Sequence, residues 1–236
     1  MRKIFLIITV FYSFQLFAQR QQVKNLPNYD RKKLHFGFTV GLNSMDFIIK
    51  KSADFLSNET VYAIENQPQV GFHIGPISNL RLGEHFDLRL LINLSFGQRD
   101  LSYWTIKDTN ASSPKLALHT MKIASTFLEF PLLLKYKAVR VNNFSPYLIG
   151  GINPKLDLAA RKKIKDEEMP KIRLENKDLY YEVGFGIDFY LTYFKLSTEL
   201  KYSAGIMDVL VRDNTPYTSS IDKMNSRMIM FSLHFE

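Results

Sequence analysis

From Leu34 to Asn43 the chain alternates without a break between apolar residues and small or polar ones. In an extended chain Leu34, Phe36, Phe38, Val40 and Leu42 form one face, and His35, Gly37, Thr39, Gly41 and Asn43 the other. A soluble sheet with one wet face would carry the same pattern. Recurrence narrows the choice. Similar stretches follow along the chain, each about the roughly 9–11 residues that a tilted strand needs to cross a bilayer.

The rest of the composition agrees with strands. Of 236 residues, 46% are hydrophobic and 14% aromatic, with 19 Phe and 12 Tyr against one Trp, which excludes global disorder and favours strand over helix. The formal charge of +8 comes from Lys and Arg interleaved with acids, so it is read as loop solvation. The tracts Arg31-Lys32-Lys33 and Arg161-Lys162-Lys163 are short, and no nucleic-acid partner is expected. Residues 1–18 have the form of a cleavable secretory signal: basic Arg2 and Lys3, an apolar run from Ile4 to Phe17, and small Ala18 before Gln19. Cys is absent, so no lipidated cysteine follows the signal and no disulfide forms, although export would permit one. Beyond residue 18 no apolar run is long enough for a transmembrane helix. Two classes remain, a soluble exported β protein and an outer-membrane barrel.

Taken in order, residues 19–33 read as an extended periplasmic leader with little structure of its own, and 34–236 as a barrel of eight strands. The strands are placed at 34–43, about 69–82, 86 to the late nineties, about 120–138, 144–157, 177–190, 194–204 and the end of the chain. Alternation is clearest from Phe86 to Gly97 and poor around Tyr147-Leu148-Ile149-Gly150-Gly151-Ile152. Pro76 cannot donate to a ladder, so it marks a bulge or local break. Long connections at 46–68, 100–118, 158–176 and 205–222 alternate with short ones at Gly83-Glu84, Arg140–Asn143 and Leu191–Tyr193. That rhythm, with an even strand count, predicts an all-β, eight-stranded, antiparallel up-and-down transmembrane barrel with both termini in the periplasm. A soluble lipocalin-like barrel would place the apolar face inside instead. Glycines on the polar face (Gly37, Gly41, Gly71, Gly75, Gly184, Gly186) suit a narrow lumen, and the bulky opposite face suits lipid.

On the predicted lumenal face lie Asp87, Arg89, Glu129, Lys135, Glu182, Asp188, Glu199 and Lys201. A barrel of eight strands is just wide enough for side chains to fill. Opposite charges there are expected to pair, because a lone buried charge is too costly. Glu129 and Glu199 should each meet a lumenal cation. The five His residues have no metal-ligand spacing, and no cofactor is expected. His119 with Ser112 and Ser113 at the rim of the fourth strand is the only hint of a membrane-embedded hydrolase, and no partner spacing supports it. No catalytic residue, small-molecule substrate or enzymatic activity is assigned.

The leader segment Asn25-Leu26-Pro27-Asn28-Tyr29-Asp30 is richer in apolar and aromatic side chains than a flexible linker requires. Two readings stand: it docks a periplasmic partner, or it folds under the barrel. The run NLPNYDRKKLHFGFTVGLNSMDF resembles the opening of the PorT-type outer-membrane barrels of the Bacteroidota. The runs FLEFPLLLKYK, PYLIGGI, YEVGFGIDFYL and FKLSTELKYSAGIMDVL resemble the wider family of Bacteroidota outer-membrane barrels. The resemblance implies an outer-membrane component of type IX secretion, which exports cargo carrying a C-terminal secretion domain and moves adhesins in gliding members. Its expected partners are outer-membrane lipid and other type IX components, and it brings no catalytic residues. The alternative is a small structural or adhesion barrel of the OmpX or OmpA kind.

Overall fold

The computed structural model describes residues 23–53, 55, 61–106, 116–160, 172–213 and 215–236. The predicted signal peptide, the first leader residues and parts of the predicted loops lie outside these. A 3-10 turn, Tyr29–Arg31, precedes ten strand segments: β1 (Leu34–Lys51), β2 (Val61–Arg81), β3 (Phe86–Leu91), β4 (Asn93–Ile106), β5 (Leu116–Glu129), β6 (Leu132–Lys137), β7 (Phe144–Asp157), β8 (Lys177–Tyr190), β9 (Lys195–Gly205) and β10 (Ile221–Phe235). A four-residue helix, α1 (Pro216–Ser219), sits before β10. Every pairing is antiparallel, and β1 pairs with both β2 and β10, so the sheet closes on itself.

Ten segments stand where eight strands are predicted, and proline chemistry accounts for the difference. β3 and β4 pair with β2 in one register on both sides of Ile92. Ile92 lies opposite Pro76, which offers a carbonyl to the Ile92 N–H at 3.2 Å but has no N–H to return. β5 and β6 likewise keep one register against β3 and β4, with a break at Phe130-Pro131. Each pair of segments is one stave, and eight staves make the barrel. Pro76 thus acts on its neighbour, while β2 itself runs through it.

The faces are sorted opposite to those of a water-soluble protein. Phe36 is 69% exposed, Val70 74% and Leu148 61%, while Arg89, Lys135 and Glu129 on the inner face are at 0%. A polar interior inside an apolar wall is stable only where hydrocarbon surrounds the wall. This excludes the lipocalin-like arrangement. Along β1 the apolar belt runs from Leu34 to Leu42. At about 3.4 Å per residue and a tilt of about 40° it is about 21 Å tall, near the roughly 25 Å of an outer-membrane barrel.

Five staves continue past the belt. β1 has 18 residues and β2 has 21, against the predicted 34–43 and 69–82. The predicted connections at 46–68, 100–118 and 205–222 are correspondingly shorter, because the hydrophobic face changes sides there. Below, the apolar residues face lipid. Above, they face inward as Phe47, Val61, Ile64, Leu101, Tyr103, Met121, Ile221 and Met224, while Lys50, Glu65, Gln67 and Lys122 are exposed. Ile172, Leu174, Val209 and Leu210 close this apolar head. They are carried by a short ribbon with a Leu174–Leu210 bridge and a Glu175 N–H to Val209 carbonyl bond of 2.9 Å.

Candidate functional site: a filled lumen and a docked leader

The eight predicted lumenal residues all lie on inward positions and are buried. Lys135 Nζ meets both carboxylate oxygens of Asp188, at 2.6 and 2.8 Å, and lies 3.8 Å from the Tyr147 ring centre. Arg89 donates to Glu199 at 2.6 Å, and Glu199 also accepts from the Tyr147 hydroxyl at 2.9 Å. Lys201 meets Glu182 at 2.8 Å, and Glu182 accepts further bonds from Asn153 and Ser203. The structure does not pair all eight among themselves. Glu129 meets Lys155 at 3.1 Å and Asp87 meets Lys137 at 3.1 Å.

Sequence reasoning left out Arg99, Lys137, Lys155, Asp157, Lys195 and Glu236. Arg99 reaches Asp157 at 3.6 Å and stacks over the Phe47 and Phe127 rings. Lys195 meets Glu236 at 2.7 Å. Lys137 and Lys195 are in phase with the polar face of their strands, so the period did contain them. Lys155 was hidden because β7 carries apolar residues inward as well: Tyr147 and Ile149 join Ile77, Leu91 and Leu133 in a small lumenal cluster. Its alternation is in fact regular, with Leu148 and Ile152 outward. Gly186 makes room for this packing. A Cβ there would lie 2.4 Å from the Tyr147 hydroxyl and from the Thr198 carbonyl, so only Gly fits.

The described part of the leader is ordered against the mouth of the barrel at the end of the short turns, where the sequence predicts little structure. Its polar groups find partners that a free linker would lack. The Asn25 N–H donates to Asn143 Oδ1 at 2.9 Å, and the Asn25 amide donates to the Tyr190 carbonyl at 3.0 Å. Arg140 donates to the Asn25 carbonyl and stacks 3.7 Å from the Tyr190 ring centre. Leu26 takes a positive φ of 49°, which turns the chain back under the barrel. Tyr29 stacks on His35 with ring centres 4.0 Å apart and donates to Glu236 at 2.8 Å. Burial, with the Glu236 carboxylate beside it, pushes the Tyr29 phenol far above its usual range, so it stays a donor. Asp30 accepts from the Tyr190 hydroxyl at 3.3 Å. Pro27 and Asn28 stay exposed. The second sequence reading, a leader folded under the barrel, matches this arrangement.

A profile of the outer membrane protein beta-barrel domain family matches residues 17–211. The chain belongs to this family. No curated protein matches the chain by sequence. Among solved structures it is similar to the outer membrane protein OprG of Pseudomonas aeruginosa, at 11% identity and TM-score 0.42 over 84% of this chain and 93% of that one. It is also similar to Neisserial surface protein A, at 11% identity and TM-score 0.39 over 84% and 95% of the two chains. A third is Ail, the attachment invasion locus protein of Yersinia pestis, solved with the heparin analogue sucrose octasulfate, at 11% identity and TM-score 0.37 over 86% and 99%. At that level the likenesses say nothing of function.

As an outer-membrane β-barrel, the protein has a lumen in which charges face charges. A conducting pore would wet these side chains, whereas Arg89, Lys135, Glu129 and Glu199 are at most 1% exposed. The lumen is a salt-bridged plug, closed below by Tyr29. Among the described residues no group of three or more His, Cys, Asp or Glu side chains is placed to hold a metal. His119 is exposed on β5, and Ser112 and Ser113 lie outside the described residues.

Proposed function

We propose that this outer-membrane barrel is a non-enzymatic component of type IX secretion that works through partners and not as a conduit. The observation that carries the reading is the leader: the segment that resembles the PorT-type opening is built into the periplasmic mouth through Asn25, Tyr29 and Asp30, leaving Pro27 and Asn28 facing the periplasm. The filled lumen supports the same reading, since a folded cargo has no path through eight staves. Deletion of the gene in its native host tests it. Cargo with the C-terminal secretion domain should vanish from the supernatant and accumulate or be degraded in the periplasm, gliding should stop in a motile host, and a plasmid copy should restore both. Normal export would end the reading. A copy lacking residues 25–30 then asks whether the leader is the contact.

A second reading, a structural or adhesion barrel of the OmpX or OmpA kind, is favoured by the apolar-cored head beyond the belt. It predicts normal export with altered surface attachment in the deletion strain.

A further inference from the structure

The periplasmic rim carries cations that no carboxylate of the described residues meets, although the Arg81 Nε–H donates to the Gly83 carbonyl at 2.9 Å. Lys24, Arg31, Lys32 and Lys33 are exposed and Arg81 is half-buried. At this end Lys137 and Arg140 are held by Asp87 and Asp30, but among the described residues none of those five meets a carboxylate. At the opposite end Lys50, Arg173, Arg212 and Arg227 pair with Asp222, Asp213, Asp208 and Asp46, while the exposed Lys51, Lys122 and Lys223 meet no carboxylate among the described residues; the rim differs in gathering its cations where the apolar belt ends.

The unpaired cations form one strip. The Arg81 N–H donates to the Lys33 carbonyl at 2.7 Å, which joins the basic tract to the start of the β2–β3 turn. From there a cleft of about 260 Å³ opens between the leader and that turn, lined by Lys24, Arg81, His85 and Arg140 against Asp30 and Glu84. The strip also lies where the lipid-facing belt ends. Leu34 follows Lys33 directly, and Leu80, Leu82 and Phe86 flank Arg81 with their side chains exposed. The headgroups of the periplasmic leaflet must stand at the level of these cations.

We propose that this rim binds the headgroups of anionic phospholipids of the periplasmic leaflet, with one phosphodiester seated in the cleft between Lys24 and Arg81. Basic residues beside a membrane surface attract anionic lipid, and a cleft that sets cations around one end of an apolar wall fits a phosphate with an acyl chain lying along Leu82 and Phe86. The binding is independent of any role in secretion.

Native mass spectrometry of the folded mature chain in detergent, titrated with equimolar dioleoyl phosphatidylglycerol and dioleoyl phosphatidylcholine, tests it. The expected result is retention of phosphatidylglycerol over phosphatidylcholine by about tenfold or more, falling with salt. Two variants, R31Q/K32Q/K33Q and K24Q/R81Q, should each lower that preference several-fold, while K50Q/K223Q at the far end leaves it unchanged. All three should keep the heat-dependent gel shift of a folded barrel. Equal retention of the two lipids overturns the proposal. So does phosphatidylglycerol binding fully displaced by 10 mM inorganic phosphate, which would mark a small-anion site. A tract variant with unaltered lipid preference but lost secretion also overturns it and points to an acidic periplasmic protein.

Discussion

The Lys135–Asp188 pair distinguishes a dry plug from a wet pore. Lys135 touches both Asp188 oxygens, and the Ser197 hydroxyl donates to Asp188 at 2.6 Å. Lys135 is 0% exposed and Asp188 1%. Removing one partner strands the other charge away from water, which costs about 3–5 kcal/mol, while replacing both with apolar side chains of similar volume is often near neutral. So Lys135→Met and Asp188→Leu should each lower stability by about 3–5 kcal/mol, and the double variant by much less than their sum. A wet lumen would give exposed-pair values, about 0.2–1 kcal/mol with weak coupling. The assay is urea unfolding in phosphatidylcholine vesicles, followed by the fluorescence of Trp104, the sole Trp, and by the gel shift of unheated samples. Two single variants that each cost under about 1 kcal/mol and add in the double would refute the plug.

Other substitutions probe the wall, the packing and the mouth. Leu148→Arg, near the middle of the lipid-facing wall, should cost about 2–4 kcal/mol, whereas Tyr62→Arg on the head above the belt, also exposed, should cost close to nothing in the same unfolding assay. Gly186→Leu places a side chain against Tyr147 and the β9 backbone, and refolding should leave most of the protein in the unshifted gel band. Tyr29→Phe removes the hydroxyl that donates to Glu236, and the urea midpoint should drop by the equivalent of about 1.5–3 kcal/mol.

The fold was legible where lipid makes a period-2 code unambiguous. β7 and β8 span residues 144–157 and 177–190 as predicted, because the outer side is apolar and the turns are short. The code failed where the solvent changes. In the head the inner face is apolar and the outer face wet, so alternation reverses phase at Met45-Asp46-Phe47 and an extended strand looks like a mixed loop. The lumenal charges could be placed on a face by period, but their partners could not. Glu129 meets Lys155 directly opposite on the neighbouring stave, 26 residues on in the chain, and Arg89 meets Glu199 across the lumen, and sequence spacing says nothing about either distance. The leader was the hardest part. Its contacts reach to Asn143, Tyr190 and Glu236, all more than a hundred residues away in the chain.

The paired charges also fix register. A one-residue slip of β9 would turn Lys195, Glu199 and Lys201 toward lipid and bring Leu196, Leu200 and Tyr202 inside. Turned toward lipid, Lys201 costs up to about 2–4 kcal/mol and Lys195, at the strand end, about 0–1 kcal/mol. The partners Glu236, Arg89 and Glu182 would be stranded as well, at several kcal/mol each. The slip costs on the order of 10 kcal/mol, as much as the whole stability of a typical domain. Neutralising the central pair should therefore loosen register more than it lowers stability. In the double variant E182L/K201M, which removes the pair at 2.8 Å and the bonds that Glu182 accepts from Asn153 and Ser203, the urea midpoint should fall by less than in either single variant. Leu200 faces Phe231 on β10, and the chain has no Cys, so L200C/F231C reports register by disulfide formation. Cross-linking should approach completion with the pair intact and fall measurably without it. Complete cross-linking in E182L/K201M would mean that the turns and the remaining staves hold register without the charges.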